Sequence, residues 1–175
     1  ALQYTNRLLQ AITPRIHRGD QLMKADGLTA DFDRQLLFLP PGFRPAAPLV
    51  VGRAIGPQVL HAIEPYRFLV PPTVHLHGTI PLHGVADADL HFDVTGGPFR
   101  WNKFNLPHVA GQVHWLGEEL TLTNLTGDFY GGQATGQAHF DFRPHRGADY
   151  SFKAATTDTQ LKNLLADLSG GSTNK

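Results

Sequence analysis

The sequence predicts a mainly β fold of the α+β type, with an antiparallel, curved meander sheet and a few short helices, including a C-terminal amphipathic helix. Three observations lead to this prediction. The 175 residues include 18 glycines and 13 prolines, which favour short strands joined by turns over long helices. Apolar and polar residues alternate in several segments of the second half, as they do in strands with one buried face. Glycine-containing pairs separate some of these segments, with the spacing of two-residue hairpin loops.

Composition narrows the range of functions. The 15 basic residues balance the 15 acidic ones, so the usual electrostatic reason to expect a nucleic-acid partner is missing. The chain contains no cysteine, which excludes disulfides, thiolate metal sites and cysteine nucleophiles. The longest apolar runs, such as 36–39 and 48–51, fall far short of the ~18 residues of a membrane helix. We therefore expect membrane anchoring only through parts that lie outside this chain.

Three regions follow from the patterning. Residues 1–70 are expected to form a helix and strand segment that packs on the sheet, 71–168 the sheet region, and 169–175 a flexible Ser- and Gly-rich tail. The apolar residues of 2–12 have roughly helical spacing, which predicts an N-terminal helix that ends before Pro14.

The rest of the first region alternates between extended segments and proline-rich breaks. The segments 21–33 and 35–39 are predicted to be extended, and the four prolines of 40–48 predict a loop. A short strand at 49–54 and a helix from Pro57 to Pro65 follow.

The second region has clearer signals. Alternation predicts strands at 73–80, 90–95, 109–116 and 150–155. The last element is a helix over about 158–168, whose leucines recur at i, i+3, i+4 and i+7.

Two hairpin loops allow the strand register to be predicted. A loop at Gly117-Glu118 pairs Leu116 with Glu119, Trp115 with Leu120 and Val113 with Leu122, so that apolar residues face one another.

A second loop at Gly131-Gly132 pairs Phe129 with Ala134 and, continued strictly, mixes the two faces of the next strands. One extra residue at Thr123-Asn124 restores them, and we predict a β-bulge there. The repaired register places Leu122 opposite Phe140, Leu120 opposite Phe142, and Thr121 opposite Asp141.

One face of the predicted sheet is rich in aromatic and aliphatic residues. Two interpretations stay open: a closed sheet–helix core, or an apolar concavity that accepts acyl chains. The residues predicted to face lipid in the second case are Leu76, Phe92, Trp101, Val113, Trp115, Leu120, Leu122, Phe140, Phe142 and Phe152.

The ten histidines are the other candidate chemistry. His75 and His77 share one strand face and could chelate a metal, but no third ligand is specified. In the predicted register His114 and His139 do not converge. The acid pair Asp87 and Asp89 could bind a cation, but solvated turn acids are the simpler interpretation. We therefore predict a solvated polar face with no metal and no other cofactor.

Motifs for catalysis are missing from the sequence. It contains no Gly-x-Ser-x-Gly, and the glycines of 131–136 precede neither a helix nor a Lys-Ser/Thr pair. We predict that the protein is not an enzyme.

The second region contains a series of distinctive segments. They are 71–78, 88–94, 107–115 and 120–142, which includes Phe129-Tyr-Gly-Gly-x-Ala-x-Gly136, then Asp149-Tyr-Ser-Phe152 and the Leu-rich helix 161–168. Together they cover roughly 71–168, and this region resembles the C-terminal region of AsmA-like proteins.

This resemblance implies a periplasmic, β-rich body of a bacterial envelope protein, anchored elsewhere by an N-terminal membrane helix. It further implies a role in outer-membrane biogenesis and the sheltering of lipid chains in a hydrophobic groove. The implied partners are acyl chains, envelope proteins and other segments of a longer chain. Two alternatives are a structural or protein-interaction module with a closed core, and a metal-dependent enzyme that uses His75 and His77.

Overall fold

The computed structural model describes residues 1–18, 21–24, 27–45, 64, 66–84, 87–101, 103–143 and 149–169, with the backbone alone at 15–18, 21–24 and 42–45. Its strands are β1 (Leu2–Thr5), β2 (Leu8–Ile12), β3 (Arg15–Arg18), β4 (Gln21–Lys24), β5 (Gly27–Asp31), β6 (Leu36–Pro45), β7 (Tyr66–Phe68), β8 (Thr73–Pro81), β9 (Asp89–Gly96), β10 (Phe99–Trp101), β11 (Phe104–Leu106), β12 (Val109–Leu116), β13 (Glu119–Phe129), β14 (Gly132–Asp141) and β15 (Asp149–Thr157). One helix, α1 (Leu161–Leu168), follows them.

The predicted mainly β fold is confirmed. Ten strands form one antiparallel sheet in the order β1-β2-β5-β6-β8-β9-β12-β13-β14-β15. This spatial order is the order along the chain, so the sheet is a meander with short insertions. The sheet is not closed, and β1 and β15 are its two edges.

Two smaller sheets fill the insertions. Strands β3 and β4 form a hairpin between β2 and β5, and β7, β10 and β11 form a three-stranded sheet. The small sheet is aromatic: the Tyr66 ring lies 6.0 Å from the Trp101 ring, and Phe68 lies 4.9 Å from Phe99.

The predicted helix over 2–12 is wrong. Strands β1 and β2 form a hairpin in which Leu2 pairs with Ala11 and Thr5 pairs with Leu8. Asn6 and Arg7 both have positive φ, 50° and 61°, as a two-residue type I′ turn requires. The left-handed turn, which Asn tolerates well, overrides the helical spacing of the leucines.

The predicted loop over 40–48 is also wrong for residues 40–45, which belong to a strand. Strand β6 continues to Pro45, with a register shift against β8 between Leu39 and Gly42. Pro40 and Pro41 lie at this shift, where a residue without an N–H interrupts the ladder least.

The division of the chain is corrected in the same way. Strands β1, β2, β5 and β6 extend the main sheet, so the described part of residues 1–45 does not pack on it as a separate segment. The strand predicted at 49–54, the helix predicted at 57–65 except for residue 64, and the tail beyond residue 169 lie outside the described residues.

The register of the second half agrees with the sequence in its main features. Trp115 pairs with Leu120 and Val113 with Leu122, as predicted. The bulge at Thr123-Asn124 is confirmed, because the pairing of β13 with β14 shifts between Leu122 and Leu125.

The second loop lies one residue earlier than predicted. Phe129 pairs with Gly132, and Tyr130 and Gly131, with φ of 47° and 84°, form the turn. A Cβ on Gly132 would lie 2.1 Å from the Thr157 carbonyl oxygen, so this glycine is needed for strand packing. As a consequence Leu120 pairs with Phe140 and Thr121 with His139. These pairs replace the predicted partners Phe142 and Asp141, while each residue keeps its face.

Helix α1 starts at Leu161, three residues later than predicted, with Gln160 as its N-cap residue. Its C-terminal turn is docked by polar contacts: the Tyr130 hydroxyl donates to Asp167 Oδ2 at 2.6 Å, and Lys103 Nζ donates to the Leu168 carbonyl at 3.3 Å. Leu161 and Leu165 remain 63% and 53% exposed. Within the described residues, no helix has the length and hydropathy needed to span a bilayer.

Arg143 links the ends of β13 and β14. Its Nε donates to both carboxylate oxygens of Asp141, at 2.8 and 3.0 Å, and a terminal nitrogen lies 2.8 Å from Glu119 Oε1. The hydrogen bonds from the side chain and then the backbone of Arg143 lower the pKa of Asp141 from 3.8 to about 2.

This pair predicts a specific pH dependence. Because folding depresses the pKa of Asp141, the interaction stabilises the folded chain above pH 3.8, and its contribution is lost as the pH falls from there to about 2. We expect Arg143→Gln to raise the pKa of Asp141 toward its ordinary value, measured by NMR titration of the carboxyl carbon. Arg7→Gln, which removes the partner of Asp33, should leave the Asp141 titration unchanged. An unaltered midpoint in Arg143→Gln would refute the assignment.

Candidate functional site

The apolar face of the main sheet is built from two continuous rows of side chains. The first row runs across six strands, from Leu76 through Phe92, Val113, Leu122 and Ala138 to Phe152. The second row runs beside it, through Gly78, Leu90, Trp115, Leu120, Phe140 and Tyr150. Alternation along each strand, combined with the antiparallel register, places both rows on one face.

The structure brings all ten predicted lipid-facing residues into this apolar surface. Eight of them belong to the two rows. Phe142 joins by stacking on Trp115 at 5.7 Å, and Trp101 joins from β10, where its ring lies 6.2 Å from Phe152.

Burial divides the face into a closed centre and an open edge. Phe92, Trp115, Leu120, Phe140 and Phe142 are at most 8% exposed, so they pack as core and contact little solvent. Leu76, Trp101, Val113 and Leu122 are half-buried. At the β15 edge, Phe152 is 43% and Tyr150 is 69% exposed. We call Tyr150 and Phe152 the edge aromatic pair.

Aromatic contacts connect the edge aromatic pair to the core. The Phe140 ring lies 6.4 Å from Tyr150 and 5.5 Å from Phe152. The Tyr66 ring stacks on Trp101, which in turn contacts Phe152, so β7 lies beside the same edge. Burial first, and then the neighbouring phenol of Tyr150, raise the pKa of Tyr66. Tyr150 was not among the predicted site residues, although its alternation with Phe152 in the sequence was the available signal.

The polar face carries a row of histidines directly behind the apolar rows. The register aligns His77, His91, His114, Thr121 and His139 on five consecutive strands. The first three rings are stacked, with centroids 5.0 and 4.2 Å apart and planes within 10° of parallel. His139 Nδ1 lies 3.2 Å from the Thr121 hydroxyl. His114 and His139 therefore flank one threonine, closer than the predicted register allowed.

Asp89 lies beside the second and third members of this row. Its Oδ1 lies 2.8 Å from His114 Nε2 and 3.1 Å from His91 Nε2. The three side chains are each about two-fifths exposed, at 46%, 39% and 43%. Among the described residues they form the one group of three whose ligand atoms all lie within 4.8 Å of one another.

The pair singled out from the sequence, His75 and His77, is arranged differently. Their rings are 6.1 Å apart and tilted by 50°, and His75 Nδ1 lies 3.5 Å from Asp93 Oδ2. Neither residue belongs to the group of converging ligand atoms. The register of β9 against β12, which the sequence analysis lacked, is what adds His114 to Asp89 and His91.

Comparison of the chain with protein-family models, curated proteins and solved structures finds no match. The geometry of the two faces therefore carries the functional argument.

Proposed function

We propose that this chain is a non-enzymatic lipid-handling module of the bacterial envelope, of the AsmA-like kind, whose apolar sheet face holds acyl chains on the periplasmic side. The supporting observation is the open meander sheet with one continuous apolar face, which is closed at its centre and exposed at the edge aromatic pair. The resemblance of residues 71–168 to AsmA-like proteins supports the same function.

The edge aromatic pair is the proposed point of contact for an acyl chain. Phe152 stands between the half-buried Trp101 and the core residue Phe140, so a chain lying here would continue the aromatic surface. Each methylene removed from water contributes about 0.8 kcal/mol, so micromolar binding, which needs about 8 kcal/mol, requires the burial of about ten methylenes. In this proposal the buried residues of the closed centre support the binding surface and do not themselves contact the acyl chain.

The open edges favour one further kind of partner. All nine residues of β15 are exposed, and within the described residues the strand pairs with β14 alone. A strand edge of this kind can add a strand from another chain or another segment. An interaction module whose sheet is extended at β15 is thus the second candidate function, and it does not need lipid.

A matched pair of variants on β15 separates the two functions. Phe152→Asp introduces a charge into the apolar face, and Ser151→Asp introduces the same charge one residue away on the opposite face. We expect native mass spectrometry of detergent-free protein, incubated with phosphatidylethanolamine and phosphatidylglycerol vesicles, to show phospholipid adducts. We expect Phe152→Asp to weaken them about tenfold, and Ser151→Asp to retain them.

Circular dichroism of both variants controls for folding, and Tyr150→Asp, at the more exposed position, replaces Phe152→Asp if that variant unfolds. Lipid-free wild-type protein, or equal losses in Phe152→Asp and Ser151→Asp, would contradict lipid handling by this face. Partner capture that persists in Phe152→Asp, together with an absence of adducts, would favour the interaction module.

A further inference from the structure

We propose that Asp89, His91 and His114 form a binding site for a divalent transition-metal ion of the zinc type, on the polar face of the sheet. The inference is independent of lipid binding, because the three side chains point away from the apolar rows. It rests on the convergence of two imidazole nitrogens and one carboxylate oxygen from two neighbouring strands.

The distances fit a shared ion. Both Nε2 atoms already contact the same Asp89 oxygen, at 2.8 and 3.1 Å. A metal with ligand bonds of about 2.0–2.2 Å holds neighbouring ligand atoms roughly 3.3 Å apart in tetrahedral geometry. The two imidazole rings are stacked within 10° of parallel, so they would tilt toward each other to direct both Nε2 lone pairs at one ion.

The donor set selects the class of metal. Two neutral imidazoles and one carboxylate suit zinc and its first-row neighbours. Ca²⁺ and Mg²⁺ prefer sites made of oxygen ligands, and only one of the three side chains here supplies oxygen. The exposure of the group leaves positions for water to complete the coordination sphere.

The sheet holds the ligands in place. Asp89 and His91 are two residues apart on β9 and so share a face, and His114 on β12 lies directly opposite His91. His77 stacks on the outer side of the His91 ring at 5.0 Å, which restricts its rotation. The buried Nδ1 of His77 has no hydrogen-bond partner among the described residues, so His77 offers a further nitrogen beside His91.

A bound ion would link β9 to β12 on the polar face, opposite the core. His91 lies between Leu90 and Phe92, and His114 precedes Trp115. These three apolar neighbours are buried on the other face of the sheet. An ion that binds only the folded chain stabilises it in proportion to the logarithm of its concentration over Kd. We therefore expect saturating Zn²⁺ to raise the Tm by roughly 5 °C.

The test measures Zn²⁺ binding to the full chain by isothermal titration calorimetry and by elemental analysis after equilibrium dialysis. We expect the double variant His91→Gln/His114→Gln to bind one ion fewer per chain and to lose the Tm increase. Asp89→Asn should weaken binding at least tenfold. Mg²⁺ and Ca²⁺ should produce neither heat nor a shift in Tm.

The control is His108→Gln. His108 is an exposed histidine immediately before β12, the strand that carries His114, and its Nε2 lies 3.1 Å from the Thr95 hydroxyl. Its removal should leave the Zn²⁺ stoichiometry and the Tm increase unchanged. If the double variant retains the full stoichiometry and the full Tm shift, binding is adventitious and the proposal is wrong. Equal losses in His108→Gln would overturn it as well. The Tm of the metal-free double variant shows whether the substitutions themselves damage the fold.

Discussion

Trp115→Ala should destabilise the folded chain by about 3–5 kcal/mol, the usual cost of removing a large aromatic side chain from a core. Trp115 is 3% exposed, lies between Leu90 and Leu120 in its row, and stacks on Phe142 at 5.7 Å. Truncation would leave a cavity in the middle of the apolar face. Urea denaturation followed by far-ultraviolet circular dichroism measures the loss.

Two control substitutions, one at the next residue and one at Trp115 itself, make this prediction specific. Leu116→Ala changes the next residue, which is 50% exposed on the opposite face, and should cost less than about 0.5 kcal/mol. The buried Nε1 of Trp115 has no hydrogen-bond partner within the part of the chain that the structure describes, so Trp115→Phe should cost less than about 1.5 kcal/mol. Similar losses for Trp115→Ala and Leu116→Ala would mean that the centre of the face is not a closed core.

Gly78→Ala should be damaging for a different reason, at a cost of about 3 kcal/mol. Gly78 has φ of 142°, and a Cβ built there lies 2.0 Å from the Asp89 carbonyl oxygen and 2.9 Å from Leu90 Cα. These are backbone atoms of the paired strand, so β8 and β9 would have to separate. Thermal unfolding measures the loss of stability, and hydrogen exchange should show faster opening of β8 and β9.

Gly84→Ala supplies the matched control. Gly84 has nearly the same φ, 149°, but a Cβ there meets nothing within 4 Å. Its substitution therefore carries the conformational strain without the steric clash, and should cost about 1 kcal/mol. If Gly78→Ala unfolded no more readily than Gly84→Ala, the close approach of β8 and β9 would not be a constraint on this fold.

Turn residues and alternation predicted strand pairing correctly where a single short loop joins two neighbouring strands. The Gly117-Glu118 loop predicted the pairing of β12 with β13, and the phase change after Leu122 predicted the bulge. The N-terminal hairpin was missed because its turn uses Asn6 and Arg7, a pair without glycine. The Tyr130-Gly131 turn was misplaced because a tyrosine occupies the left-handed position, while Gly132 serves packing.

The candidate sites were less accessible to sequence reasoning. Alternation alone places the lipid-facing candidates on one face, but the burial that separates Phe140 from Phe152 depends on the whole sheet. Asp89 and His91 are two residues apart in the sequence, but the strand predicted at 90–95 begins only after Asp89. His114 joins them through the register of β9 with β12, and the insertion of β10 and β11 between these strands leaves no short loop from which to derive it.

The most direct test of lipid handling uses the two tryptophans of the chain as reporters, one beside the open edge of the apolar face and one in its closed centre. Trp115→Phe leaves the half-buried Trp101, 6.2 Å from Phe152, and Trp101→Phe leaves the core residue Trp115. Each variant is titrated with phospholipid vesicles whose acyl chains carry bromine, which quenches tryptophan fluorescence on contact, and with unbrominated vesicles as the reference. We predict strong quenching of Trp101 and little quenching of Trp115. Equal fluorescence of Trp101 in brominated and unbrominated lipid would contradict the proposal that acyl chains bind at this edge.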